Sequence, residues 1–207
     1  MFSSKIRILS GFVVIVGGLS LSSCGVNPVT AHKLKRTDIE KSDPGELRVA
    51  LQIKEGVTLG KVLSVVKYDV GEGVQRKELM LQRLSPTSQQ GAAEFTALSR
   101  FRKKGQRFVI AKYSPKDTAW LRLLQKTLPP KVKAQQKRKK KGFFELGFGA
   151  TFCGQEGLKK IPYRLFVKTT EIPVYSILVF ERDLVHDLKR WQKKSGSSRR
   201  TDEGCPK

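Results

Sequence analysis

The chain has 207 residues, with 41 Lys and Arg against 18 Asp and Glu, a formal net charge of +23 and 39% hydrophobic residues. That apolar fraction is enough to build a core and excludes a wholly disordered chain, and the length fits one domain of ordinary size. The charge bears on solubility and partners rather than on fold, and with only two histidines and few acids the chain is poorly supplied for metal or acid–base chemistry.

The first residues divide into three parts. Lys5 and Arg7 give a cationic start, Ile8 to Leu21 is an apolar stretch interrupted only by Gly and Ser, and the small residues Ser22 and Ser23 precede Cys24. This order marks a secretory signal. The stretch is shorter than the roughly 20 residues of a bilayer-spanning helix, which makes an uncleaved anchor the weaker reading.

Leu21-Ser22-Ser23-Cys24 resembles a bacterial lipobox, the motif of lipoprotein signal peptides. The resemblance implies that residues 1–23 are removed and that the Cys24 thiol, a strong nucleophile as thiolate, carries a diacylglyceryl group. One acyl chain binds a membrane reversibly, whereas two anchor stably. In the enteric pattern an Asp after the cysteine retains the protein at the inner membrane. Gly25 stands there instead, which implies the outer membrane, facing the periplasm.

Residues 24–45 contain Pro28, Pro44 and several charges without a sustained apolar period, and read as a lipidated flexible tether. A coil of about 20 residues would separate its ends by about 25 Å. A single domain is expected over 46–194. Leu47, Val49, Leu51 and Ile53 alternate with Arg48, Ala50 and Gln52, the period of a half-buried strand. After a turn at Glu55-Gly56, Lys61 to Val70 predicts a second strand with Val62, Val66, Tyr68 and Val70 on one face. Gly71-Glu72-Gly73 is a turn, and Glu78 to Leu84 a third strand. Ala92 to Phe101 fits either a short helix or a strand.

Arg107 to Tyr113 predicts a further strand, and Ser114-Pro115-Lys116-Asp117 a helix start, with Ser as cap and Pro at the first position. Trp120, Leu121, Leu124 and Leu128 share one face, and Pro129-Pro130 is expected to end that helix. Phe143 to Phe152, Tyr163 to Lys168 and Val174 to Phe180 predict three more strands, the last apolar enough to be central. Asp183 is expected to cap a closing helix with Leu184, Leu188 and Trp191 on its buried side, before a polar tail at 195–207. Together these give an α+β domain, a mainly antiparallel sheet of about six strands with about two helices packed on one face.

Enzyme signatures are missing. His32 lies in the expected tether, and His186 on the polar face of the expected last helix. Neither has Cys, Asp or Glu at metal-ligand spacing. No Gly-x-Ser-x-Gly elbow occurs. Gly56 to Lys61 is one residue short of a phosphate loop and lacks the following Ser or Thr. No catalytic residue, cofactor or metal is expected. A hydrolase acting on wall or lipid material stays open as an alternative, because paired carboxylates are distant in sequence. Glu145, Glu156 and Glu171 would have to converge.

Basic density is the unusual feature. Lys131, Lys133, Lys137, Arg138, Lys139, Lys140 and Lys141 crowd an expected loop at 131–141, and Arg100, Arg102, Lys103, Lys104 and Arg107 form a second group. Aromatics are too sparse among them for a base-stacking surface, and an export signal argues against nucleic acid. Outside the cytoplasm the available anions are anionic lipid, peptidoglycan and acidic envelope proteins, and a polybasic segment gains about 1 kcal/mol per residue beside an anionic surface. A mobile, solvated loop remains the plainer reading. With Cys24 acylated, Cys153 and Cys205 are left, an even number in an oxidising compartment, and are expected to pair. That bridge would be worth roughly 4 kcal/mol in the chain-entropy description; two separate thiols are the alternative. The sequence thus points to a non-catalytic, membrane-anchored envelope protein.

Overall fold

A computed structural model of the chain describes residues 26–36, 42–69, 73–137, 143–153, 160–183 and 186. Its elements, in chain order, are α1 (Pro28–Arg36), β1 (Arg48–Lys54), β2 (Thr58–Asp69), β3 (Val74–Met80), β4 (Gln82–Arg83), α2 (Gln89–Leu98), β5 (Gln106–Lys112), α3 (Pro115–Lys137), β6 (Phe143–Cys153), β7 (Pro162–Lys168) and β8 (Ser176–Asp183). The class is the expected α+β, mainly antiparallel. The strands form two sheets instead of one, however, with orders β4-β5-β1-β7-β8 and β3-β2-β6. β2 pairs with β3 and β6 and never with β1, so the strands gather as two twisted layers that bury their inner faces together. The stretch expected as one strand, Glu78 to Leu84, is where the chain changes layers. β3 ends at Met80, Leu81 is buried, and β4 joins the other sheet against β5.

The alternation in β1 predicts one buried face, yet both are buried. Val49 is aligned with Ala111 and Val167, and this face belongs to the main core between the sheets. Ala50 is aligned with Ile110 and Phe166, and its face forms a second, smaller core with Leu98 and Tyr175. Phe101 and Phe108 close on Phe166 with ring centroids 4.9 and 5.8 Å apart, a spacing that favours tilted aromatic pairs. Arg48 and Gln52, which alternation would place in solvent, are therefore buried.

The ambiguous stretch Ala92 to Phe101 is helical. Ser88 caps α2, its Oγ accepting from the Gly91 N–H at 3.0 Å, and a 3-10 turn at Ser99–Phe101 follows. α2 contributes Leu98 to the smaller core, whereas Leu34 of α1 and Leu121 of α3 belong to the main one. α2 thus lies on the opposite side of the five-stranded sheet from α1 and α3, because a five-stranded layer has two apolar faces to cover.

Three further expectations are corrected. α3 starts as read, with Ser114 Oγ accepting from the Asp117 N–H at 3.0 Å and donating to its carboxylate at 2.7 Å, but it passes through Pro129-Pro130 to Lys137. Proline removes a helix hydrogen bond but holds φ at a helical value, and the Lys, Ala and Gln that follow are strong helix formers. β8 is an edge strand and not central. It is apolar because Val26 forms a bridge to Val179 and α1 lies alongside. Within the segment read as a flexible tether, α1 is anchored by Ala31 and Leu34, both buried. Its start is fixed by Asn27, whose Oδ1 accepts from the N–H groups of Val29 and Thr30 at 3.0 and 3.4 Å. The expected closing helix lies outside the described residues apart from His186. Asp183 itself is the last residue of β8, and its carboxylate accepts from the Ile161 N–H at 3.1 Å.

Candidate functional site

The residues singled out by sequence do not converge on one place. Cys24 lies outside the described residues, but the chain enters them two residues later in a fixed position. Val26 bridges Val179, and the Asn27 N–H donates to the Leu178 carbonyl at 2.9 Å. Cys153 is the last residue of β6, aligned with Thr58 of β2, and Cys205 lies outside the described residues. Lys131, Lys133 and Lys137 belong to the C-terminal part of α3 and not to a loop. Arg138, Lys139, Lys140 and Lys141 lie outside the described residues.

The second basic group is largely engaged in holding the fold. Arg107 donates to the Val57 carbonyl at 2.8 Å and Arg100 to that of Tyr175 at 3.4 Å, with its guanidinium 4.7 Å from the Phe101 ring centroid. Lys103 pairs with Glu181 at 2.6 Å, and this bond, more than any other influence, holds the Glu181 carboxyl below its usual range. Arg83 donates to the Leu59 carbonyl at 2.7 Å and also to that of Gly60. Burial, then the neighbouring Arg107, weakens its hold on its proton.

Beneath α2 is a charged cluster that sequence reading missed. Glu94, 6% exposed, meets the Arg48 Nε at 3.3 Å and accepts from the Lys168 ammonium at 3.0 and 3.1 Å through its two oxygens. Arg48 also donates to the carbonyls of Gly45 and Leu47 at 2.6 and 2.9 Å. Tyr175 is buried beside them; burial first, then the Glu94 carboxylate, pushes its ionisation up. A carboxylate clamped by two cations and sealed from water is poorly placed as a general base. It fastens α2 to β1, β7 and the approach to β8. The clue in the sequence was an acid set among small and apolar residues, Gly91-Ala92-Ala93-Glu94-Phe95.

Among the described residues, Glu145 and Glu171, two of the carboxylates that a hydrolase would need, stand on different parts of the fold. Glu145 lies on β6 of the three-stranded sheet, opposite Lys67. Glu171 lies between β7 and β8, accepting from Ser42 and Thr169 at 3.0 Å each, and Glu156 is outside the described residues. His32 and His186 are both exposed. Among the described residues no three His, Cys, Asp or Glu side chains gather as a metal site, and no helix is long and apolar enough to cross a membrane. Nearby, Asp43 takes the Gly45 N–H at 2.8 Å and the Arg122 guanidinium at 2.9 Å, and its carboxyl is lowered chiefly by the first of these. With Gln125 donating to the Ser42 carbonyl at 2.7 Å, this ties α3 to the entrance of β1.

No family model, no curated protein and no solved structure matches this chain.

Proposed function

We propose that this chain is a non-catalytic lipoprotein of the bacterial cell envelope, acylated at Cys24 and held at the outer membrane, facing the periplasm. Its folded body binds or scaffolds an anionic partner (lipid, peptidoglycan or an acidic protein) through the cationic segment Lys131 to Lys141. The observation that carries the reading is the sequence of Lys5 and Arg7, the apolar run Ile8–Leu21 and Leu21-Ser22-Ser23-Cys24, which resembles a lipoprotein leader in every part. Two features support the rest. The buried charges are spent on holding α2 in place, and of the acids that a hydrolytic site would draw on, Glu145 lies on the three-stranded sheet and Glu171 on the connection between β7 and β8. Lys131, Lys133 and Lys137 lie in the C-terminal part of α3, with Lys137 in its last turn, where the helix dipole favours cations.

Mass spectrometry of the protein purified from a bacterial host with its leader intact tests this. The expected product begins at Cys24 and carries a diacylglyceryl group on that sulfur. A free Cys24 thiol, or a chain still beginning at Met1, removes both the anchor and the envelope assignment.

A further inference from the structure

We infer that the protein has no spacer between anchor and body and lies flush on the bilayer along its α1–β8 edge, with Val29 and Phe180 seated among the lipid headgroups. The inference rests on acylation of Cys24. Only two peptide units separate Cys24 from Val26, a reach of about 7 Å at full extension, against the about 25 Å expected of a free tether of 20 residues. Val26 is not free to swing. It bridges Val179, the Asn27 N–H is bonded to the Leu178 carbonyl at 2.9 Å, and Asn27 in turn caps α1. Ala31 and Leu34 are buried, so α1 is fixed to the domain at both its turns.

The surface around that point has the character a lipid interface requires. Among the described residues six large hydrophobic side chains are exposed, and three of them belong to α1, β8 or the segment leading into β8: Val29 at 63%, Phe180 at 45% and Val174 at 57%. Phe180 follows directly on Val179, the bridge partner of Val26, and Val29 is three residues beyond Val26. Of the two acids on β8, Glu181 is paired with Lys103 at 2.6 Å and with Arg164 at 3.4 Å, and Asp183 accepts from the Ile161 N–H at 3.1 Å, which lessens their repulsion from such a surface. The remaining exposed hydrophobics, Val74 and Met80 on β3 and Leu123 on α3, lie on other elements and serve as internal controls.

The experiment uses the full acylated protein in vesicles of phosphatidylcholine with a minority of phosphatidylglycerol. A fluorescent non-natural residue replaces Val29, Phe180, Val74 or Met80 in turn, and quenching by nitroxide lipids labelled in the headgroup region is read. Several-fold stronger quenching at Val29 and Phe180 than at Val74 and Met80 is expected. A flexible Gly-Ser spacer inserted between Gly25 and Val26 should abolish that difference while leaving the protein on the vesicles. Equal quenching at all four positions, or none at Val29 and Phe180, overturns the flush orientation. The mass of each preparation separates this result from failure of the anchor: an unacylated Cys24 overturns the lipoprotein reading itself, and the orientation with it.

Discussion

A methyl group on Gly91 would sit 1.8 Å from the Ser85 carbonyl oxygen, far inside any tolerable approach, because the first turn of α2 is pressed onto the loop that caps it. Gly91→Ala is therefore expected to destabilise the fold by about 1–3 kcal/mol, the usual cost of overpacking, and chemical unfolding should show it as a lower midpoint at unchanged slope. Glu94 makes the complementary case. Removing it leaves Arg48, 4% exposed, and Lys168 facing one another with no counter-charge. Breaking a buried pair from one side costs about 3–5 kcal/mol, so Glu94→Ala should unfold well before the native chain in the same assay. A midpoint unchanged in Glu94→Ala would mean that the cluster does not fasten α2. Neither position could be weighted correctly from sequence. The sharing of Glu94 by Arg48 and Lys168 is a long-range fact, made by strands that are distant in the chain, and the approach at Gly91, though local, depends on the path of the loop from Ser85 to Ser88, which no residue pattern specifies.

Secondary elements were more legible than their surroundings. β1, β5 and β7 follow the apolar periods that predicted them, and the Ser114 cap sits where its motif placed it. The misreadings have physical causes. Local apolarity cannot distinguish a central strand from an edge strand covered by the chain's own N-terminal segment, which is the situation of β8 beside Val26 and α1. A double proline marks a helix end only on average, and α3 continues past it. That continuation matters for the cationic segment, since helical Lys131, Lys133 and Lys137 join Arg138 to Lys141 without a break in sequence. Replacing Lys137, Arg138, Lys139, Lys140 and Lys141 by Gln is expected to weaken salt-sensitive binding to anionic vesicles or peptidoglycan by about tenfold or more, given about 1 kcal/mol per residue at such a surface. Co-sedimentation at low and high salt reads this directly, and unchanged binding discards the segment as the contact.

Taken whole, the molecule is two antiparallel layers, with α2 outside the larger one. The fold class was readable, whereas the division into two sheets was not, because partner choice among strands is decided by packing at a distance and leaves no local mark. The same holds for the cysteines. Cys153 ends β6 in the smaller sheet, and its expected bridge to Cys205 would tie the C-terminal tail to that layer. A thiol count on the mature protein without reductant should find none free, and two free thiols would refute the pairing. β1 has a consequence of its own. It occupies the centre of the larger layer, with Val49 aligned to Ala111 on one side and Val167 on the other, so both its partners emerge from synthesis long after it does. Contacts of such long sequence separation form slowly, and a truncated chain ending before β7 would leave the middle strand half paired. For the exported chain proposed above, that delay keeps the middle strand half paired until most of the polypeptide has been made, which favours threading through a narrow pore before the larger layer closes.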